Sequence, residues 1–220
     1  MIKYAIFDMD GTLLDTERIF KESWIITSDR WGLDGAEDIY VNIVGRSRET
    51  IRVLFEEKYG TEYNFDKFFD ERMRCFTELV KDSVPVKEGC MELLDFMKAQ
   101  GIPCALATST PMYITGRNLA LTGIDKYMSA VVTSEMVKKG KPAPDIFIEA
   151  AKRLGARAEY CMVVEDSYNG LRAAHKAGML PVMVIDSQAP NEETEKLTLA
   201  TCNSLLDVID VVKRENNLGA

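Results

Sequence analysis

The chain lacks several features typical of nucleic-acid, membrane and zinc proteins. Its 220 residues include 27 Lys and Arg against 35 Asp and Glu, a formal net charge of -8, with no basic block. Such a chain is a poor match for nucleic acid or anionic membranes. No apolar run approaches membrane-spanning length. The five cysteines are odd in number, and no two are close enough for a zinc pair, which indicates reduced thiols in a cytosolic protein.

Other absences narrow the chemistry. The only histidine, His175, falls in an amphipathic helical pattern, and we expect it to be structural rather than catalytic. Neither GxGxxG nor GxxxxGK[ST] occurs, so no nucleotide-binding loop is predicted. There is no internal repeat. The first apolar run begins at Ile2. Cleavage of a signal peptide would remove this predicted first strand, so we expect no signal peptide.

The sequence does contain short apolar runs that alternate with helical patterns. The runs are continuous in Ile, Val, Ala and Met, as in strands buried on both faces. They cover 2–7, 103–108, 130–134 (the weakest), 161–166 and 181–185. A helical pattern lies between each consecutive pair of runs, at 90–101, 111–123, 144–155 and 168–178. This alternation predicts an α/β fold with a doubly wound, mostly parallel sheet.

Residues 16–82 interrupt this alternation. They contain three amphipathic helical patterns with no strand between them, which predicts an inserted helical domain; residues 1–15 and 83–220 form the core. Because the insertion follows the first strand, we expect it to lie over the C-terminal edge of the sheet as a lid, where open α/β sheets bind ligands. Its aromatic residues are expected to form its own hydrophobic core: Trp24, Trp31, Phe65, Phe68 and Phe69.

Polar clusters follow the predicted strands. The ends of parallel strands share one edge of a sheet, so the clusters are expected to meet there. They are Asp8 and Asp10, Thr108 to Thr110, Glu165 and Asp166, with Lys141 before a helix. Carboxylates suit Mg²⁺, whereas hydroxyls, backbone N–H groups and a lysine suit a phosphoryl group. We also expect Thr108 to Thr110 to cap the helix that follows.

Four motifs carry a family resemblance. The segments DMDGTLLDT (8–16), LATST (106–110), GKPAPD (140–145) and VVEDS (163–167) resemble those of the haloacid dehalogenase (HAD) superfamily. The insert resembles the small α-helical cap of β-phosphoglucomutase-like phosphatases, and GRSRET (45–50) resembles one of its loops. The resemblance implies a Rossmann-like core, an α-helical cap and an Mg²⁺-dependent phosphatase acting on a small phosphorylated metabolite.

The resemblance also implies a role for each carboxylate. Asp8 would be the nucleophile that forms an aspartyl phosphate, and Asp10 the general acid and base. Mg²⁺ would be held by the carboxylates of Asp8 and Asp166 and the backbone carbonyl of Asp10. Glu165 would reach the metal through a bound water.

The remaining candidates bind the phosphoryl group or a distal part of the substrate. Lys141 and Thr108 would hold phosphoryl oxygens, and backbone N–H groups near Met9, Asp10, Ser109 and Thr110 would complete the cradle. Two interpretations stay open for Arg46 and Arg48. They either begin a solvated helix capped by Ser47, or bind a distal anionic group.

Two alternative functions are weighed against hydrolysis. In the family's phosphoglucomutases a histidine follows DT in the first cap helix, and Phe20 stands at that approximate place here. A phenyl ring cannot form the hydrogen bonds of a histidine, so water is the expected acceptor of the phosphoryl group, although Arg48 matches a phosphate-binding arginine of the mutase cap.

The other alternative is a protein without catalytic activity. An inactive binder would lack Asp8 or Asp10, and a phospho-signalling receiver would lack the insert. Nothing requires more than a monomer.

Overall fold

A computed structural model of the chain describes residues 1–43 and 48–218, and in those ranges the chain forms six strands and ten α-helices. It divides into two compact units. The sheet unit comprises Met1–Asp15 and Pro85–Ala220, and the helical unit comprises Thr16–Val84. The second division therefore falls at Val84, close to the residue 82 suggested by the sequence. No helix of the described ranges is long and apolar enough to cross a membrane.

The helical unit has an aromatic core. Its helices are α1 (Thr16–Arg30), α2 (Ala36–Ile43), α3 (Arg48–Tyr59) and α4 (Phe65–Leu79). The indole of Trp24 is buried edge-on against Phe68, with ring centroids 4.9 Å apart, and Phe55 and Phe65 complete the fully buried centre. Trp31 and Phe69 pack at the margin of this core. Edge-to-face rings of this kind contribute about 0.5–1.5 kcal/mol beyond their burial.

The sheet unit contains one parallel sheet. Its strands are β1 (Tyr4–Phe7), β2 (Cys104–Thr108), β3 (Met128–Thr133), β4 (Cys161–Glu165), β5 (Leu180–Val184) and β6 (Ala200–Cys202). Their spatial order is β3-β2-β1-β4-β5-β6, and every neighbouring pair is parallel. The prediction of a doubly wound parallel sheet is confirmed. The three-residue β6 was not predicted.

Six helices complete the sheet unit. They are α5 (Cys90–Ala99), α6 (Met112–Thr122), α7 (Asp145–Arg153), α8 (Tyr168–Lys176), α9 (Glu192–Leu197) and α10 (Leu205–Glu215). Side chains alternate between the two faces of a strand, and Ile6 of β1 packs on the side where Phe147 of α7 and Ala173 of α8 lie. Phe7 points the other way and is equally buried. Burial on both faces explains the continuous apolar runs.

The chain segments that precede and follow the insert pair with each other inside the sheet unit. The N–H of Lys87 donates to the carbonyl of Leu13, and the N–H of Asp15 donates to the carbonyl of Pro85, both at 2.9 Å. Gly11 starts this turn with a φ of 80°, a left-handed conformation that favours glycine. The turn brings the polar residues after β1 back to the edge of the sheet.

Candidate active site

The C-terminal ends of the central strands carry the predicted polar residues. Asp8 follows β1, Thr108 ends β2, and Glu165 and Asp166 lie at the end of β4. These four side chains are buried. Because β2 and β4 are the two neighbours of β1, the three strand ends are adjacent. Polar side chains that are shielded from solvent need hydrogen-bond or ionic partners, which these four find among themselves or in a ligand.

Lys141 joins two of these carboxylates. Its ammonium donates to Asp8 Oδ1 and, at 2.7 Å, to Glu165 Oε1. The Lys141 side chain is 7% exposed, so it is an interior cation rather than a solvated one. Lys141, which lies in the loop after β3, therefore reaches the C-terminal ends of β1 and β4.

The buried charges alter the proton affinity of this cluster. Burial raises the pKa of Asp8 from 3.8 to about 7; Lys141 opposes that rise, while Glu165 and Asp10 add to it. Burial disfavours the ammonium of Lys141, but the charges of Asp8 and Glu165 outweigh it and raise the pKa of Lys141. Lys141 is therefore a permanent cation at neutral pH, surrounded by more carboxylate than it neutralises.

Glu165 has both carboxylate oxygens engaged. Oε1 accepts from Lys141, and Oε2 accepts from the backbone N–H of Ser167 at 2.6 Å and from its hydroxyl at 2.9 Å. The hydroxyl of Ser167 also caps α8 by accepting from the N–H of Gly170. Sequence reasoning missed Ser167 and Gly170, although a glycine inside a predicted helix was a usable signal.

Asp10 is held by the loop after β2. The hydroxyl of Thr110 donates to Asp10 Oδ2 at 2.6 Å, and the N–H of Thr110 donates to Thr108 Oγ1 at 3.0 Å. The expectation that these hydroxyls cap α6 is wrong: Pro111 occupies the cap position, and no side-chain cap hydrogen bond forms. Ser109 exposes its side chain, and its carbonyl accepts from Ser134. The hydroxyl of Thr110 therefore bonds at the edge of the sheet, where a carboxyl oxygen of Asp10 accepts it.

Asp166 lies against the turn after β1. Thr12 donates its hydroxyl to Asp166 Oδ1 at 3.0 Å, and a β-carbon at Gly11 would stand 2.6 Å from Asp166 Oδ2. The glycine thus leaves space beside this carboxylate that any other residue would fill. No cluster of three His, Cys, Asp or Glu side chains suited to a metal occurs in the described residues. The Mg²⁺ site with two carboxylates, a backbone carbonyl and water as donors therefore stays a prediction, made from a donor set that this ion accepts.

A second ion pair beside this turn was not predicted. Lys87 donates to Asp186 Oδ1, and its Nζ lies 4.0 Å from Asp15 Oδ1. Asp186 comes shortly after β5, so the rule that polar residues at strand ends meet could have found it. Its Oδ2 would stand 3.1 Å from a β-carbon at Gly11.

The two arginine candidates belong to the insert. Arg46 lies outside the described residues. Arg48 begins α3, where its guanidinium pairs with Asp66 at 3.0 Å and lies 4.6 Å from the ring centroid of Phe69. Its side chain is 46% exposed. The structure therefore gives Arg48 a partner within the helical unit.

Comparison with known proteins identifies the family to which the chain belongs. The sequence model of the haloacid dehalogenase-like hydrolases matches residues 2–178. This protein belongs to that family. The motifs that suggested the resemblance lie inside the matched region, so the predicted family is confirmed.

Relatives of this HAD hydrolase include proteins named as phosphatases. A phosphorylated carbohydrates phosphatase of Thermotoga maritima is 37% identical over 179 residues, which cover 80% of this chain and 81% of the relative. A probable pseudouridine-5'-phosphatase of Drosophila melanogaster is 31% identical over 203 residues, covering 90% and 87%. Membership and relatives confirm the prediction of a phosphoric monoester hydrolase.

Solved structures share the fold. A Thermotoga maritima protein provisionally assigned as a β-phosphoglucomutase superposes with a TM-score of 0.82 at 29% identity. The match covers 97% of this chain and 99% of that structure. The Rossmann-like HAD fold is therefore confirmed over nearly the whole chain.

Proposed function

We propose that the protein hydrolyses a small phosphorylated metabolite, such as a phosphosugar, through an aspartyl-phosphate intermediate with Mg²⁺ as cofactor. The observation that carries this proposal is the contact of Lys141 with Asp8 in a buried setting. A buried carboxylate beside a fixed cation can attack an anionic phosphoryl group without the charge repulsion that it would meet alone.

The first step transfers the phosphoryl group to Asp8. A carboxylate oxygen of Asp8 forms a bond to phosphorus while the bond from phosphorus to the ester oxygen breaks. Asp10 gives its proton to that departing oxygen, so the product leaves as an alcohol. Lys141, already 2.7 Å from Glu165 and in contact with Asp8, stabilises the negative charge on the phosphoryl oxygens.

The second step releases phosphate. Asp10, now a carboxylate, takes a proton from water, and the water oxygen attacks phosphorus while the bond to Asp8 breaks. Inorganic phosphate leaves, and Asp8 and Asp10 return to their starting states. The hydroxyl of Thr110 donates to Oδ2 of Asp10 in both steps, which leaves the other carboxyl oxygen to give and take the proton.

The carboxylates of Asp8 and Asp166 and the backbone carbonyl of Asp10 would hold Mg²⁺. The ion supplies positive charge that draws phosphate to an otherwise acidic edge. Glu165 contributes through Lys141 and Ser167, whose donors occupy both of its oxygens. Thr108 and the backbone N–H of Ser109 would bind the remaining phosphoryl oxygens. The N–H of Thr110, which donates to Thr108 Oγ1, would join them on release from that hydroxyl.

The relatives named above support hydrolysis but differ in their substrates, one a carbohydrate phosphate and the other a nucleotide. For this chain the supported substrate class is therefore a small phosphate monoester. We also propose a cytoplasmic monomer whose helical unit acts as a cap; the five free, buried cysteines suit a reducing compartment.

Substitution of Asp8 tests the proposal. A phosphate-release screen with Mg²⁺ over phosphorylated sugars, nucleotides and small acids should find a substrate for the wild type. Asp8→Asn should abolish its turnover, because an amide cannot form the acyl phosphate. Asp125→Asn, on the exposed surface, is the matched control. Turnover of Asp8→Asn within about tenfold of wild type contradicts the nucleophile assignment.

A further inference from the structure

A largely buried ion pair joins Lys87 to Asp186 in the sheet unit. The ammonium of Lys87 donates to Asp186 Oδ1. The two side chains are 20% and 15% exposed, so solvent screens their attraction far less than that of a surface pair. Loss of one partner would leave the other as an uncompensated charge in this setting, which is more destabilising than the loss of a surface pair.

Lys87 connects the turn after β1 to the loop after β5. Its backbone N–H donates to the carbonyl of Leu13 at 2.9 Å, and its Nζ lies 4.0 Å from Asp15 Oδ1. Its ion-pair partner, Asp186, comes shortly after β5, which is separated from β1 in the sheet by β4. One residue therefore ties the turn to the end of a strand that does not pair with β1.

That turn carries the proposed nucleophile and the proposed acid. Leu14 forms β-bridges with Asp10 and with Val86. The N–H groups of Leu13 and Leu14 both donate to the carbonyl of Met9, at 3.0 Å and 2.9 Å. A shift of Leu13 or Leu14 is therefore passed on to Met9 and Asp10. Displacement of a reacting group by about 1 Å can lower a rate about a hundredfold.

A neighbouring carboxylate gives Asp186 a second reason to need its cation. A β-carbon at Gly11 would stand 3.1 Å from Asp186 Oδ2 and 2.6 Å from Asp166 Oδ2, so both carboxylates lie against the same glycine. Asp186 Oδ2 is buried and has no hydrogen-bond partner among the described residues. Like charges in this setting repel each other, and Lys87 offsets one of the two. Without Lys87, the repulsion would displace Asp186 or Asp166 from its place beside Gly11.

We propose that Lys87 and Asp186 are positioning residues, whose ion pair holds the turn of Asp8 and Asp10 in its reactive place. Neither side chain is assigned to the substrate or to the reacting atoms. The catalytic part of this inference rests on the proposed function, whereas the bracing of the turn does not. Because the pair acts on the geometry of the reacting groups, its loss should lower kcat and leave KM nearly unchanged.

Kinetics of matched variants test the catalytic part. Lys87→Met keeps an unbranched side chain but removes the charge, and kcat on the best substrate of the phosphate-release screen should fall at least about tenfold. Lys213→Met breaks an exposed Lys–Asp pair of α10 and should leave kcat unchanged. Asp186→Asn removes the repulsion, so the double variant Lys87→Met/Asp186→Asn should lose less than Lys87→Met alone. An unchanged kcat in Lys87→Met, an effect confined to KM, or a double variant that loses at least as much overturns the positioning role.

Amide hydrogen exchange tests the bracing without any turnover. In Lys87→Met the N–H groups of Leu14 and Asp15 should exchange at least about tenfold faster than in the wild type, because the turn opens more often. The N–H groups within β4 are the internal control for global unfolding and should accelerate less. Lys213→Met should change neither set. Equal acceleration in the turn and in β4 would indicate only a less stable fold and would overturn the inference.

The two proposals fail separately. A wild type that hydrolyses no phosphate ester refutes the proposed function and leaves hydrogen exchange to decide whether the pair braces the turn. An active enzyme whose turn exchanges at the wild-type rate in Lys87→Met refutes only this inference. Lys87→Gln, which removes the charge but keeps a hydrogen-bond donor, replaces Lys87→Met in both experiments if that variant does not fold.

Discussion

The carboxylate of Glu165 lies directly against the backbone of Gly170, in the first turn of α8. A β-carbon at position 170 would overlap all three atoms of that carboxylate. The same carboxylate holds Lys141 through Oε1, and Lys141 in turn contacts Asp8. The absence of a side chain at Gly170 therefore leaves room for the carboxylate that positions Lys141.

We expect Gly170→Ala to impair catalysis without unfolding the protein. The added methyl group must displace Glu165, which weakens its hold on Lys141. We therefore expect kcat/KM to fall at least about tenfold, which corresponds to a loss of about 1.4 kcal/mol in transition-state stabilisation. Steady-state kinetics and thermal unfolding of the same preparation separate the two effects.

Gly116→Ala is the control for that experiment. Gly116 also lies inside a helix, but a β-carbon there meets nothing within 4 Å. Alanine should stabilise α6 by about 0.5–1 kcal/mol and leave turnover unchanged. Wild-type kinetics for Gly170→Ala would show that Lys141 does not depend on the position of Glu165.

Thr110→Val should lower kcat more than it raises KM. Valine has nearly the shape of threonine but removes the hydroxyl that donates to Asp10 Oδ2 at 2.6 Å. A hydrogen bond to a charged group contributes about 1.5–3 kcal/mol, so a loss of at least about tenfold in kcat is expected. Thr122→Val removes a hydroxyl that bonds only backbone carbonyls of α6 and should leave kcat unchanged. An effect confined to KM would assign Thr110 to substrate binding alone.

Removal of divalent metal should abolish activity, and Mg²⁺ should restore it. Binding also has a readout independent of turnover. Mg²⁺ should raise the unfolding temperature of the wild type, because a ligand of the native state stabilises it by mass action. Asp166→Asn should lose most of that increase, whereas Asp210→Asn, a surface variant, should keep it. Full activity after metal-free purification in chelator contradicts the metal assignment.

Four of the five cysteines should resist alkylation in the native state, even at alkaline pH. Burial raises the pKa of Cys90 and Cys104 to about 12 and that of Cys161 and Cys202 to about 11. The reactive thiolate is therefore scarce below these values. A thiol assay at pH 8 should detect these cysteines only after denaturation, and rapid labelling of the native protein would contradict the burial.

The raised pKa values of these thiols also predict how the free energy of unfolding changes with pH. Above the ordinary thiol pKa of about 9, the unfolded chain loses thiol protons that the folded chain retains. The folded state then binds more protons, so the free energy of unfolding falls as pH rises from about 9 towards 12. Unfolding midpoints in denaturant at pH 8 and pH 10 measure this trend.

Local patterns predicted most of the fold. The runs around β1 and β4 are continuous in apolar residues because both faces are buried, and that property is visible in the sequence. Helix α10, eleven residues long with Leu205, Val208 and Val212 buried at helical spacing, was not predicted, although its pattern was visible in the sequence. Two other missed elements are short. Strand β6 has three residues and helix α2 has eight, lengths at which periodicity carries little information.

The site was less predictable than the fold, because its contacts join distant parts of the chain. The hydroxyl of Thr110 was assigned to a helix cap but donates to Asp10, 100 positions earlier. Nothing local marks Ser167 as a partner of Glu165 rather than a cap alone.

The identity of the phosphoryl acceptor separates a hydrolase from a phosphosugar mutase. A structure provisionally assigned to the mutase resembles this chain at 29% identity, so the alternative needs a direct test. A mutase must keep water away from the aspartyl phosphate until a second sugar arrives. The ring of Phe20 stacks on that of Phe76. A phenyl group has no hydrogen-bond donor or acceptor with which to bind a sugar hydroxyl.

We therefore expect water to be the acceptor and inorganic phosphate the main product. The test supplies β-glucose 1-phosphate with a trace of the bisphosphate and Mg²⁺, and follows both products by phosphorus NMR. Phosphate should accumulate with no net glucose 6-phosphate, and Asp8→Asn should form neither product. Conversion to glucose 6-phosphate faster than phosphate release would establish the mutase instead, because both reactions share Asp8 and differ only in what attacks its phosphoryl group.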